Sequence, residues 1–178
     1  MALFETANDT GTKVTDAGLA HLKRMEELRL LELNDTQIGD AGLVHLKGFA
    51  KLRRLSMSTT SVTDVGLEHL KDLAGLEELS LSLTQVTGTG LGPPPRYAGL
   101  KKLSLLCCRV YDKGMPNLKH LVSLERLDLT ETRITNAGLM HLTGLERLRE
   151  LDLHFNDEVT DAGRKNLQMS LPKLKIRY

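Results

Sequence analysis

Leucine recurs along this chain with a period of 24 residues, at 28, 52, 76, 100, 124 and 148, and again three residues later at 31, 55, 79, 103, 127 and 151. Two positions further on stand Leu33, Met57, Leu81, Leu105, Leu129 and Leu153. A β-branched position follows (Val14, Ile38, Val62, Val86, Val110, Ile134, Val159), and then glycine at 18, 42, 66, 90, 114, 138 and 163. Each unit reads L-x-x-L-x-L-x-x-T-x-[IV]-T-D-A-G-L-x-H-L-x-x-L. The L-x-L portion alternates and predicts a short strand with one buried face. The Asp or Asn at 16, 40, 64, 112, 136 and 161 is expected to cap a helix by accepting its first free N–H groups. Leucines three apart, such as Leu43 and Leu46, give that helix one apolar stripe. No single strand-and-helix unit buries its own leucines, whereas stacked units share one continuous core.

The "TDAGLxHL" half of the unit and its leucine columns resemble the leucine-rich repeat family, from residue 12 to about 176. The repeats are similar to bacterial repeats of that type and to the cysteine-containing subclass of F-box substrate receptors. No F-box is recognisable in the sequence. The resemblance implies an α/β solenoid: a right-handed superhelix with a parallel β-sheet on the concave face and short helices or irregular turns on the convex face. It also implies a protein partner held across that concave sheet. In this reading residues 1–27 are a degenerate N-terminal repeat or cap, with Phe4, Ala7 and Asp9 in leucine slots. Residues 28–171 are six repeats, and 172–178 are a closing strand or cap. Extra residues near "HFNDEV" and "NLQMSL" loosen the register of the last full repeat.

One unit departs strongly. "VTGTGLGPPPRYAGL" (86–100) keeps the 24-residue spacing, so it inserts no linker. Gly88 has replaced the acidic residue, however, and Pro94 a leucine. Three successive prolines forbid an ordinary helix. The expectation is an extended, polyproline-like crossing of the convex side, pinned by Leu91 and Tyr97. Pro116 weakens the helix of the next unit as well. The prolines are either a local loss of helix or a second contact surface.

Candidate chemistry is absorbed by the register. Thr12, Thr36, Thr60, Thr84, Cys108, Thr132 and Asn156 share one polar position, which the resemblance turns inward onto backbone groups. Cys108 is thereby a ladder residue and Cys107 the more exposed neighbour; two cysteines alone make no metal site. His21, His45, His69 and His141 share a column, but coils about 4.8 Å apart do not converge several nitrogens to about 2.0 Å from one zinc. No phosphate loop or nucleophile elbow appears. "GTGLG" at 88–92 lacks the next glycine of a dinucleotide motif. No enzyme activity, cofactor or metal is expected.

The net charge of +1 and an aromatic content of 3% argue against a nucleic-acid partner. No apolar run approaches a bilayer span, so no membrane partner is expected. The start shows no signal-peptide pattern, which favours a cytoplasmic setting, and a monomer is expected. The partner is then a protein or peptide on the outward strand positions. Ser80, Ser82 and Ser104 form an uncharged trough between acids, and Leu83, Leu106 and Cys107 an apolar ridge, with Phe155 a second apolar spot. Leu83 and Leu106 would anchor the partner, and Arg109, Arg133, Asp128 and Asp152 orient it. The rival expectation is a structural spacer, a segment of a longer array with no ligand of its own.

Overall fold

A computed structural model describes residues 6–8, 10–92 and 97–178, with side chains from residue 10 onward. The slots at Phe4 and Asp9 and the proline crossing itself (93–96) lie outside the described residues. Among the described residues, eight three-residue strands form one parallel sheet in sequence order. They are β1 Thr6–Asn8, β2 Leu30–Glu32, β3 Arg54–Ser56, β4 Glu78–Ser80, β5 Lys102–Ser104, β6 Arg126–Asp128, β7 Glu150–Asp152 and β8 Lys175–Arg177. The chain is a right-handed α/β solenoid with this sheet on its concave face. Register follows the repeat: Leu31 pairs with Leu55 and Leu55 with Leu79. Between β7 and β8 it slips by one residue, Glu150 pairing with Lys175. Thr132 still meets Asn156, but Asn136 meets Thr160 where Asp112 meets Thr135. The added residue therefore lies between 156 and 160, and "NLQMSL" is taken up by the helix Asp161–Ser170.

All three leucine columns of the full repeats, Met57 included, are 0–2% exposed. The convex leucines Leu43, Leu46, Leu67, Leu70, Leu139 and Leu142 close the same core from the other side. Each such side chain contributes roughly 1.5–3 kcal/mol by leaving water. From Thr36 onward the polar column turns inward, whereas Thr12 in the first coil is exposed. Thr36, Thr60, Thr84 and Thr132 donate to the carbonyl three residues back at 2.6–2.8 Å. The Cys108 thiol instead reaches one coil back to the Leu81 carbonyl, and the Asn156 amide donates both to Leu153, three residues back, and to Leu129 one coil back. Among the described residues no buried side-chain nitrogen or oxygen lacks a partner.

The convex helices are single turns, Asp16–Leu19, Asp40–Leu43, Asp64–Leu67 and Asn136–Leu139, each running on as a 3-10 turn. Their caps differ from the expectation. The residue before the acid is the N-cap, in extended backbone: Thr63 and Thr135 hydroxyls accept from Val65 and Ala137 N–H. The Asp is the first helical residue, so its side chain points across to the next coil rather than back over its own turn. Asp40 accepts the N–H of Thr63 at 2.8 Å and its hydroxyl at 2.6 Å. Asp64 does the same for Thr87, at 2.9 and 2.7 Å, and takes the Gly90 N–H at 2.7 Å. Asp112 repeats it on Thr135, while Asn136 accepts the Thr160 N–H and donates its amide N–H to the Thr160 hydroxyl.

This lateral joint explains the glycine column. A Cβ at Gly42, Gly66, Gly138 or Gly163 would run into the Asp or Asn side chain of the preceding coil, and one at Gly90 would lie 2.8 Å from the Asp64 Cα. These glycines are retained for close approach, not for backbone freedom. The joint is missing once. Gly88 sits at φ 90°, and Tyr111 stands where other coils place the accepting threonine. Gly114 there rests directly on Thr87 and Gly88 backbone. The flanking Leu91 and Tyr97 are buried, with the Tyr97 hydroxyl donating to the Leu67 carbonyl at 3.0 Å.

Two expectations follow for unfolding in urea. Asp64→Ala leaves three donors short of a charged acceptor and is expected to lose about 2–3 kcal/mol, with Gly90→Ala destabilising comparably; a loss below about 0.5 kcal/mol contradicts the joint. Replacing residues 88–97 with "DVGLEHLKDL" (64–73) restores an acid at 88 and is expected to raise the melting temperature by several degrees; a lower melting temperature contradicts it.

Candidate functional site

With leucines fixed inward, the alternate strand residues line a trough of about 440 Å³ across the concave sheet. Its floor is Ser56, Ser80 and Ser104, continued by Asp128 and Asp152. One wall is Arg54, Glu78, Lys102 and Arg126. The wall is largely self-paired. Glu78 holds Lys102 at 2.8 Å and Arg54 at 3.4 Å, and Glu150 holds Arg126 at 2.6 Å and Arg177 at 3.2 Å. The Arg126 guanidinium lowers the Glu150 carboxyl below its ordinary pKa, against a smaller upward push from desolvation. Hydrogen bonding from Lys101, then from Arg53, does the same for Glu77 in the adjoining column. Because these folded-state values are depressed, the associated stability is present above the ordinary carboxylate range. It is lost as pH falls through the lowered values.

The floor is wired across coils. Ser56 donates to Asn34 at 2.6 Å, Ser58 meets Ser80 at 2.9 Å, and Ser82 meets Ser104 at 2.9 Å. Ser104 reaches Asp128 at 3.3 Å, whose other oxygen accepts the Thr130 N–H at 2.9 Å. Ser82 is therefore a buried link of this chain, not an exposed contact residue.

The expected single surface divides in two. Ser80, Ser104, Asp128 and Asp152 share the trough. Cys107, Arg109, Arg133 and Phe155 line a second groove of about 840 Å³, past the C-terminal ends of the strands. Leu83 and Leu106 line neither; they stand in adjacent coils, the Leu83 N–H donating to the Leu106 carbonyl at 2.8 Å, with Leu83 exposed and Leu106 half-buried. The cause of the division is backbone conformation. Asp35, Thr59, Leu83, Cys107, Glu131 and Phe155 all sit at φ 53–59°. This left-handed turn ends each strand's outward alternation and throws that residue onto the solenoid's edge. Tyr111, Glu131 and Glu158 also line the edge groove. Sequence reasoning did not place them there, although Tyr111 signals itself by standing in the threonine column.

Cys107 is not poised for chemistry. Its thiol donates to Glu131 at 3.1 Å, and desolvation, followed by that carboxylate, pushes its pKa up to about 11. Burial likewise raises Cys108. Among the described residues no three His, Cys, Asp or Glu side chains stand close enough to hold a metal ion, and no helix is long and apolar enough to cross a membrane. Alkylation of Cys107 by iodoacetamide at pH 8 is expected to run roughly 100-fold slower than for an unperturbed thiol. Glu131→Gln should accelerate it; an unchanged rate in that variant contradicts the assignment.

The leucine-rich repeat region model matches residues 10–177. Among solved structures, an internalin C2 from Listeria monocytogenes is 26% identical with a TM-score of 0.77, covering 97% of this chain and 69% of that one. An internalin (inlF) from the same organism, at 20% identity and a TM-score of 0.58, covers 97% of this chain and 59% of its own, and speaks for the fold alone. No curated protein sequence matches significantly. A sheet built of 24-residue coils, leucines inward and one-turn helices outside, agrees with that match across nearly the whole chain: the chain belongs to the leucine-rich repeat family.

Proposed function

We propose that the chain is a non-catalytic interaction module that receives a protein or peptide on its concave sheet. The trough carries the reading. Its inward columns are nearly invariant from coil to coil, whereas the outward wall changes at every coil (Leu30, Arg54, Glu78, Lys102, Arg126, Glu150) and the floor beside it passes from Glu32 through Ser56, Ser80 and Ser104 to Asp128 and Asp152. The fold constrains the first set and leaves the second free to match a partner. Leucine-rich repeat proteins generally mediate protein–protein interaction. The two thiols, both raised in pKa, support a role without covalent chemistry. The kinship to cysteine-containing repeats is supported by Cys108 occupying the threonine ladder. A monomeric module is supported by Lys175 and Arg177, whose charges guard the edge strand β8 against pairing.

The self-pairing of the trough wall favours a second reading, a spacer with no ligand, because Glu78 and Glu150 already neutralise their neighbours. Ser80→Lys with Ser104→Lys separates the two. Under the module reading, crosslinking in extract of the native source captures a partner with the wild-type chain. The double variant loses it, with a circular-dichroism melt within a few degrees of wild type. A partner set indifferent to the change supports the spacer.

A further inference from the structure

The repeat supplies its own control: what differs between coils at one column is not demanded by the fold. The column after the polar ladder runs Lys13, Gln37, Ser61, Gln85, Arg109, Arg133 and Asp157, and only Arg109 and Arg133 set two like charges in successive coils. Both arginines line the edge groove, one coil apart and exposed. Elsewhere an arginine facing an acid pairs with it, as Arg53 with Glu77, Arg54 with Glu78 and Arg126 with Glu150. Arg109 and Arg133 form no ion pair among the described residues, although Glu131, Asp157 and Glu158 line the same groove. Glu131 accepts the Cys107 thiol instead. Arg109 and Arg133 occupy the same position of successive coils, and two guanidiniums so placed offer N–H forks suited to carboxylates.

Two aromatic departures frame them. Thr63, Thr87 and Thr135 turn their hydroxyls back onto an aspartate. Tyr111 has Gly88 opposite it, no acid to meet, and lies 42% exposed in the groove. Phe155 is 76% exposed at φ 59°, a turn position that other coils fill with Asp35, Thr59, Leu83, Cys107 and Glu131. A large aromatic residue in left-handed backbone, with its ring in water, meets no packing demand of the fold.

We propose that the edge groove is a second docking surface that takes an acidic segment of a partner protein. Two neighbouring carboxylates seat on Arg109 and Arg133, and an aliphatic or aromatic residue lies against Tyr111 or Phe155. Asp157 and Glu158, at the groove's far end, repel further acids and set the segment's direction. The inference rests on the chain being an interaction module and adds the chemistry of what it binds.

The test is selection from a phage-displayed random peptide library on the folded chain, against Arg109→Gln with Arg133→Ser. That variant restores residue types found at Gln85 and Ser61 of the same column, so the fold accommodates them. The expected result is enrichment of peptides with paired Asp or Glu beside an apolar residue. A synthesised winner binds the double variant about tenfold or more weakly, and weakens likewise in about 0.5 M salt. Binding to Ser80→Lys with Ser104→Lys is expected to be unaffected. Recovery of no peptides, of peptides without acid enrichment, or of acidic peptides that bind the double variant equally overturns the proposal. Loss of the acidic peptide in the serine variant alone would place it on the sheet, overturning the groove and leaving the trough reading intact. Retention of the groove peptide together with a native partner set indifferent to the serine changes would sink the trough alone.

Discussion

A carboxylate reaching from the first helical residue of one coil to the backbone N–H of the next is the joint on which the convex side depends. A one-turn helix has no stability of its own, and here its stacking is held by a charge-assisted bond rather than by helix propensity. Because the acid occupies the space where the next coil's Cβ would stand, the same interaction requires a glycine in that next coil: Gly42 against Asp16, Gly66 against Asp40, Gly90 against Asp64 and Gly138 against Asp112. One contact thus accounts for two columns of the repeat. It also makes each coil's correct conformation a condition for its neighbour's.

The inner side obeys the same logic with different groups. Strands of three residues leave backbone groups that a wider sheet would pair, and the threonine ladder satisfies the carbonyls where the chain turns. Cys108 accomplishes this by bonding one coil back, and Asn156 by bonding both three residues back and one coil back, so two chemically unlike residues substitute for threonine without leaving a buried polar group unpaired. A pair of cysteines that looks like redox chemistry in the sequence is therefore one structural thiol and one whose pKa is raised by desolvation and then by the neighbouring Glu131 carboxylate.

Once joint and ladder are met, departures from the repeat stand out. The missing acid at Gly88, Tyr111 in place of a threonine, the successive Arg109 and Arg133, and Phe155 in a left-handed turn fall in neighbouring coils, and all but Gly88 line one edge groove. The broken joint and the edge groove are connected: with no carboxylate opposite, Tyr111 has nothing to turn back to and faces the groove.

The fold, the strand register, the inward leucines and the polar ladder were legible in the sequence, because each is a periodic requirement repeated at nearly every coil. Side-chain direction at the turn was not. Alternation along a strand predicts outward positions only while the backbone stays extended, and the left-handed residue after each strand ends that alternation. For that reason Cys107 and Phe155 line an edge groove rather than the trough. The role of the aspartates was likewise beyond local reading, since an acid before a helix looks the same whether it caps its own turn or the next coil's. The sequence alone determined which positions must be buried, through period and polarity. Only the tertiary structure decided which coil each polar group serves, because that depends on a neighbour 24 residues away presenting its N–H within reach of the carboxylate.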